Sequence, residues 1–332
     1  MLNVGLIGAG RIGRVHAEAI AGHAQSKLSA VSDAVAEAAE TLASAYGAQA
    51  CTSEAVINDP AIDAVLIASP TDTHSDLIEA ATRAGKAVLC EKPVDLDLKR
   101  AISCQQVAAA TGQPVMVGFN RRFDPSFASL KQAYTSGDIG KAELLSITSF
   151  DPAPPPVSYV KTSGGLFRDM MIHDFDMANY LMGQAPITIS AVGSSVVDPE
   201  IGAVGDVDTA VTTMTYANGA IAVIKNSRRA AYGYDQRVEL LGAAGLLQAH
   251  NVLENTVVKS TVDGVVGAKP TYFFLERYMP AYRAEWDAFV GAVQTGMAMP
   301  VTLEDGVTAL AMAEAATRSA KTGQPVALED VF

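Results

Sequence analysis

The chain has 332 residues, 49% hydrophobic and 18% charged, with a formal net charge of −12. That length exceeds one ordinary core and suits two domains, and the composition excludes wholesale disorder. The acidic balance repels phosphate backbones and anionic lipid surfaces, which argues against nucleic acid or a membrane surface as partner. Three cysteines (Cys51, Cys90 and Cys104) without a C-x-x-C pair argue against a disulfide framework or a structural zinc site and suit a reducing compartment. No apolar run approaches the ~20 residues of a membrane helix. The first residues run straight into a strand and a glycine loop with no basic segment ahead of them, so a cytoplasmic protein is expected.

The first third alternates strand and helix. Leu2–Ile7 is a short apolar run, followed by Gly8-Ala9-Gly10-Arg11-Ile12-Gly13 and a helical segment with Ile12, Val15, Ala19 and Ile20 on one face. Lys27–Ser32 is predicted as a strand ending at Asp33, with an alanine-rich helix to about Ala45. Ala64–Ala68 is apolar throughout, as strands buried on both faces are. Helix Asp72–Ala84, strand Lys86–Cys90, helix Leu96–Thr111 and strand Pro114–Gly118 continue the rhythm. This alternation predicts an α/β domain with a doubly wound parallel sheet over residues 1–120.

The pattern then changes. Helix Pro125–Ser136 leads to strand Ala142–Phe150, a proline-rich loop and a helix over roughly Leu166–Met182. Strand-like runs follow at 187–197, 208–216, 220–227, 236–241, 246–249 and 256–260, and Asn218-Gly219 suggests a type I′ hairpin turn. Two helices, about Ala281–Thr295 and Glu304–Thr322, close the chain. Residues 121–332 are therefore predicted as an α+β domain with a large, mainly antiparallel sheet, one face on helices and the other open to another surface.

A lone G-x-G-x-x-G is weak evidence, but here it lies between strand and helix, and Asp33 stands twenty residues past Gly13 at the next strand end. The glycines allow a tight turn and a close pyrophosphate, and Asp33 suits ribose hydroxyls. Asp33 also repels a 2′-phosphate and has no basic residue after it, which favours NAD over NADP; Arg11, in the loop itself, is the one feature that points the other way. The plainer alternative is a structural turn with Asp33 as a helix cap. Strand Lys86–Cys90 ends in Glu91-Lys92-Pro93. Ligands sit beyond the carboxyl ends of such strands, where a lysine can hydrogen-bond a substrate hydroxyl. A surface lysine is the alternative. In Gly164-Gly165-Leu166-Phe167-Arg168-Asp169-Met170-Met171-Ile172-His173-Asp174-Phe175-Asp176, Asp169 and His173 stand four apart, on one face of a continuous helix. An imidazole there can take a hydroxyl proton while a carboxylate orients it. A capping and ion-pairing cluster is the plain alternative, and one histidine among carboxylates is a poor metal set.

Together these motifs resemble the glucose–fructose oxidoreductase and inositol dehydrogenase family (Gfo/Idh/MocA), and the resemblance covers essentially the whole chain. It rests on the glycine loop, Pro70 with His74, Glu91-Lys92-Pro93 and the Gly-Gly-x-Phe-x-Asp-x-x-x-His-Asp-x-Asp stretch, which is closest to inositol 2-dehydrogenases. The resemblance implies an NAD-dependent oxidation of a secondary hydroxyl on a cyclic polyol, myo- or scyllo-inositol first and an aldose next. It assigns Lys92, Asp169 and His173 to catalysis, His173 being the base, with the polyol between the nicotinamide and these residues. Cofactor contacts are expected from Gly8, Gly10, Arg11, Ile12, Gly13, Asp33, Ser69, Thr71, His74, Glu91, Lys92 and Arg121. Substrate contacts are expected from Lys92, Asn120, Arg121, Asp151, Asp169, His173, Tyr232 and Tyr234, with no metal. Tyr159 flanks the proline loop, and Arg122 is a candidate for an interdomain ion pair. A dimer or tetramer through the second sheet is expected. A non-catalytic nucleotide-binding regulator is the rival of another class, but such a protein would be expected to lack Lys92 or His173. A methyltransferase would share the glycine loop and need neither.

Overall fold

Runs that are apolar on both faces belong in the middle of a sheet with helices on either side. The computed structural model, which describes all 332 residues, follows that logic in the first unit, comprising Met1–Phe123 with Ala281–Leu310. Its strands are β1 (Leu2–Ile7), β2 (Ser26–Ser32), β3 (Gln49–Ala50), β4 (Ala64–Ile67), β5 (Ala87–Glu91) and β6 (Val115–Gly118). Between them run α1 (Arg11–Gly22), α2 (Ala36–Tyr46), α3 (Ser53–Asn58), α4 (His74–Arg83) and α5 (Leu98–Thr111). Every residue of β4, β5 and β6 is buried. The strands pair in parallel in the order β3-β2-β1-β4-β5-β6. Strand order reverses between β1 and β4, and the carboxyl ends there form the crevice in which such sheets take ligands.

The second unit comprises Asp124–Pro280 and Ala311–Phe332. It runs α6 (Pro125–Thr135), β7 (Ala142–Phe150), α7 (Val157–Ser163), α8 (Leu166–Asp169), α9 (Ile172–Met182), β8 (Thr188–Ser194), α10 (Pro199–Ala203), β9 (Thr209–Thr215), β10 (Ile221–Ser227), β11 (Asp235–Gly242), β12 (Gly245–Ala249), β13 (Val258–Thr261) and β14 (Gly264–Gly267). Then come α11 (Phe274–Thr295), of which 281–295 belongs to the first unit, α12 (Leu303–Thr322), of which 303–310 does, and β15 (Val326–Ala327). The seven-stranded sheet has the order β12-β11-β7-β10-β9-β8-β15, antiparallel except for the β7–β10 pair. Alternation is regular: Ala210, Thr212 and Met214 on β9, Ala222, Ile224 and Asn226 on β10, and Gln236, Val238 and Leu240 on β11 are buried. The other face stays open. Ile221, Leu144, Leu241 and Leu246 stand side by side across four strands, each 40–48% exposed.

Several details depart from the sequence expectation. The helix expected over 166–182 is interrupted at Met170 and Met171, where the Met171 amide reaches back five residues to the Leu166 carbonyl. The simple i, i+4 relation of Asp169 and His173 therefore does not describe this segment. Helix α11 begins at Phe274, seven residues early, because it accommodates Pro280 in its interior. The Asn218-Gly219 turn is not type I′, since among its residues only Gly219 (φ 85°) has a positive φ. The division near residue 120 also differs from the compact units, in which 281–310 belongs with the amino-terminal sheet. No helix is long and apolar enough to cross a membrane.

Asp124 anchors the second unit. It caps α6 through the amides of Ser126 and Phe127 (3.1 and 3.2 Å) and pairs with Arg277, both side chains being buried. The Arg277 guanidinium also lies over the rings of Phe127 and Tyr278. Arg277→Met should strand the Asp124 charge and cost about 3 kcal/mol. Urea unfolding checks this as a fall in midpoint at unchanged slope.

Candidate active site

In the first unit the glycine loop sits where β1 hands over to α1. Gly8 has φ +105°, and a Cβ there would lie 2.4 Å from the Ala68 carbonyl. A Cβ on Gly13 would lie 1.9 Å from the Gly8 oxygen. These two glycines are packing requirements. Gly10 differs, because a Cβ there would meet nothing within 4 Å. Its bareness leaves open approach to the start of α1, where no side chain caps the helix and the first turn holds no acid. Free amides at a helix N-terminus suit an anion such as a pyrophosphate. Asp33 accepts from the Ala9 and Val35 amides (2.6 and 2.8 Å). It thus ties the loop in place, and each oxygen keeps a lone pair for a ribose hydroxyl. Arg11 is exposed and Ile12 half-buried at the first positions of α1.

The ends of β4 and β5 are held together by His74. Its Nδ1 lies 2.7 Å from the Pro93 carbonyl and its Nε2 2.9 Å from the Ser69 carbonyl. This ring, expected to touch the cofactor, is buried and committed to backbone, so its part is to set the Glu91-Lys92-Pro93 turn. Ser69 bonds Thr73 (2.6 Å) beside it, and Thr71 begins the short turn before α4. Glu91, for which a cofactor contact is expected, turns inward, its Oε1 2.7 Å from His16 Nε2. Lys92, by contrast, is half-buried at the strand end. Asn120 and Arg121 are buried in the turn after β6. Arg122 pairs with Asp305 (2.9 Å), and that carboxyl, though raised by burial, is held below its usual range by the guanidinium. Since both residues belong to the first unit, this is not an interdomain pair.

In the second unit Asp169, at the end of α8, is gripped from two sides. The Tyr159 hydroxyl donates to Oδ1 (2.9 Å), and Arg228, almost fully buried, donates to Oδ2 (3.3 Å). Burial, then the Asp169 charge and hydrogen bond, push the Tyr159 phenol up, with Arg228 opposing and Asp151 adding to the rise. Asp151 thus belongs to this charged cluster. His173 is half-buried in the first turn of α9. Its neighbour Asp174, fully buried, accepts from Ser149 on β7 (2.6 Å) and Asn226 on β10 (2.9 Å). Ser149 also lies 2.8 Å from the Gln236 side chain on β11. Three strands therefore fix the turn that carries His173. Arg228, Asn226 and Ser149 are absent from the sequence-derived set, although inward polar residues on alternating strands are a signal for such a network.

The tyrosines separate. Tyr232 is half-exposed, and its hydroxyl donates to Asp235 (2.6 Å), a carboxylate that also accepts from Arg237. Burial and that carboxylate raise the phenol to about 12. Tyr234, expected at the substrate, is buried edge-on against Tyr278 at 6.0 Å and is a core residue.

Comparison with known proteins places these features. Residues 2–119 match the model of the oxidoreductase family's NAD-binding Rossmann fold (GFO_IDH_MocA), and 131–328 match its C-terminal alpha/beta domain. An inositol 2-dehydrogenase of Rhizobium meliloti (strain 1021) is 48% identical, covering 95% of this chain and 96% of its own. A myo-inositol 2-dehydrogenase of Thermotoga maritima is 44% identical over the whole of both chains. The crystal structure of scyllo-inositol dehydrogenase from Lactobacillus casei, with NAD(H) and scyllo-inositol bound, superposes with a TM-score of 0.92 at 32% identity, covering 99% of both chains.

The two kinds of glycine give opposite expectations. Gly13→Ala should disrupt the loop and lower the melting temperature of the free protein. Gly10→Ala should leave that melting temperature alone and reduce the further rise produced by NAD. Thermal melts with and without NAD separate the two.

Proposed function

The chain belongs to the GFO/IDH/MocA oxidoreductase family, and on that premise we propose that this NAD-dependent dehydrogenase oxidises a ring hydroxyl of myo- or scyllo-inositol through Lys92, Asp169 and His173. One observation carries the assignment of roles: both oxygens of Asp169 are engaged, by Tyr159 and by Arg228. A carboxylate matched in this way is a poor proton acceptor but a good fixed charge. That leaves His173 to take the hydroxyl proton, with Asp169 stabilising the imidazolium that forms. Lys92 donates a hydrogen bond to the oxygen as it becomes a carbonyl. NAD, when bound, supplies the acceptor for the hydride that leaves the carbon. The Gly8–Gly13 loop and Asp33 bind and orient that cofactor, with Ser69, Thr71 and Arg121 as further contacts. Asn120, Arg121, Asp151 and Tyr232 complete the polyol's surroundings.

The identities of 48% and 44% to an inositol and a myo-inositol 2-dehydrogenase support an inositol over an aldose. The apolar row Ile221–Leu144–Leu241–Leu246 supports a homo-oligomer, dimer or tetramer, through the outer sheet face, because such a row in water favours a second apolar surface. Three free cysteines, two of them buried, support a reducing compartment such as the cytoplasm.

The test is NADH formation by the purified protein with NAD or NADP and a panel of inositols, aldoses and other polyols. His173→Ala and Lys92→Ala should each lower kcat by about 10²–10⁴-fold with NAD binding retained. Arg228→Met, which frees the Asp169 carboxylate to swing, should lower kcat/KM by about 10²-fold. Full turnover in the His173 variant, or silence across the panel despite tight NAD binding, would sink the reading. Leu144→Asp combined with Leu241→Asp should shift the mass measured by light scattering towards the monomer.

A further inference from the structure

The segment that joins β10 to β11 meets the proposed site at both of its ends. Arg228, at its start, holds Asp169. Asp235, at its end, pairs across the sheet with Phe150, next to Asp151, and the Ala230 amide donates to the Asp151 carbonyl at 2.7 Å. Tyr232 stands between them, half-exposed, its hydroxyl donating to Asp235 at 2.6 Å. A phenol held in that way keeps lone pairs that accept from a polyol hydroxyl. Such a contact favours binding only where its loop is rigid beforehand, and Gly233, with φ +126°, makes this loop pliable. The stiffening comes from the sheet edge beside it.

Strand β12 ends at Ala249, opposite Val238 of β11, so the same register sets Asn251 opposite Gln236. The main chain does not make that pair, because it turns into one leg of the β13–β14 hairpin. There the Thr271 amide donates to the Val252 carbonyl at 3.3 Å, and the Glu254 amide to the Lys269 carbonyl at 2.9 Å. The Asn251 side chain continues the ladder instead. Its Nδ2 donates to the Tyr234 carbonyl at 2.9 Å, and its Oδ1 accepts from the Gln236 and Val252 amides at 3.2 and 3.0 Å. A carbonyl on one side and two amides on the other fix which end of the side-chain amide is which. The second leg adds the Thr271 carbonyl, which accepts from the Tyr234 amide at 3.0 Å. The backbone is thus bound on both sides of Asp235, the residue that holds the Tyr232 hydroxyl. All of these residues belong to the second unit.

We propose that Asn251 is a positioning residue for polyol binding: by standing in for the missing main-chain pair, it fixes the Tyr232–Asp235 loop that receives the substrate ring. The inference rests on the reading of Tyr232 as a polyol contact. A contact with the part of the ring that does not react is made alike in ground state and transition state, so its loss shows in KM and not in kcat.

Steady-state kinetics with myo-inositol and NAD compare wild type, Asn251→Ala, Asn251→Asp, Tyr232→Ala and the Tyr232→Ala/Asn251→Ala double variant. Asn251→Ala, which removes all the hydrogen bonds of that side chain, should raise KM for myo-inositol about tenfold, with kcat and NAD affinity within about twofold of wild type. Asn251→Asp, which sets an acceptor against the Tyr234 carbonyl, should raise KM at least as far. In the Tyr232→Ala background Asn251→Ala should add little, because changes that act through one contact are not additive. A wild-type KM in the Asn251 variants, a fall in kcat with KM unmoved, or a full further rise on top of Tyr232→Ala would overturn the proposal. Tyr232→Ala separates the two levels: if it leaves KM unmoved, the reading of Tyr232 fails, whereas a raised KM there with an unmoved Asn251→Ala condemns only the role of Asn251.

Discussion

A carboxylate withdrawn from water must find donors or give up its charge, and the arrangement of this protein turns on how each buried acid meets that demand. Asp174 finds Ser149 and Asn226, and so pins the start of α9 to three strands. Asp124 finds Arg277 and two backbone amides. Asp208 collects the amides of Val196, Val197 and Asp198 at 2.9–3.1 Å and shapes the loop after β8. Asp169 takes Tyr159 and Arg228. Asp174, Asp124 and Asp169 each take a donor at least 52 residues away in the chain, so satisfying the acid fixes tertiary geometry. Asp169 and His173, two of the residues proposed for catalysis, take their placement from these bonds.

The glycine loop shows a different constraint, that of contact distance. Gly8 and Gly13 exist because backbone lies where their side chains would be, and they would be needed in a protein that bound nothing. Gly10 has no such excuse. Its surroundings are open, beside a helix start that no side chain caps, which leaves room for the cofactor contact proposed for this loop. Asp33 ties this loop to the end of β2, since it accepts from the Ala9 and Val35 amides.

Much of this was legible in the sequence because local periodicity carries it. Doubly buried strands show as unbroken apolar runs, and the sheet of the second unit shows as period-two alternation. What escaped was non-local. The helix expected from about Ala281 begins at Phe274 and continues through Pro280. The segment 166–182 has helical spacing throughout, but the chain breaks at Met170–Met171. His74 and Glu91 were recognisable as site-motif residues. Only the fold reveals that one side chain holds backbone carbonyls and the other holds His16. Asn226 was readable in principle, as an asparagine two places beyond Ile224 on the buried face of a strand, although its partner Asp174 lies 52 residues away.

The contrast between Asp169 and Glu285 shows how one residue chemistry serves two ends. Asp169 meets a guanidinium and a phenol, so its negative charge is matched and fixed in place. Glu285 is buried with no hydrogen-bond partner on either oxygen, and burial, then the charge of Glu91, favour the neutral acid. Environments that treat two acids so differently divide labour between them. The fixed charge suits the proposed step in which positive charge appears on the His173 imidazole, since it need not reorganise as the proton arrives.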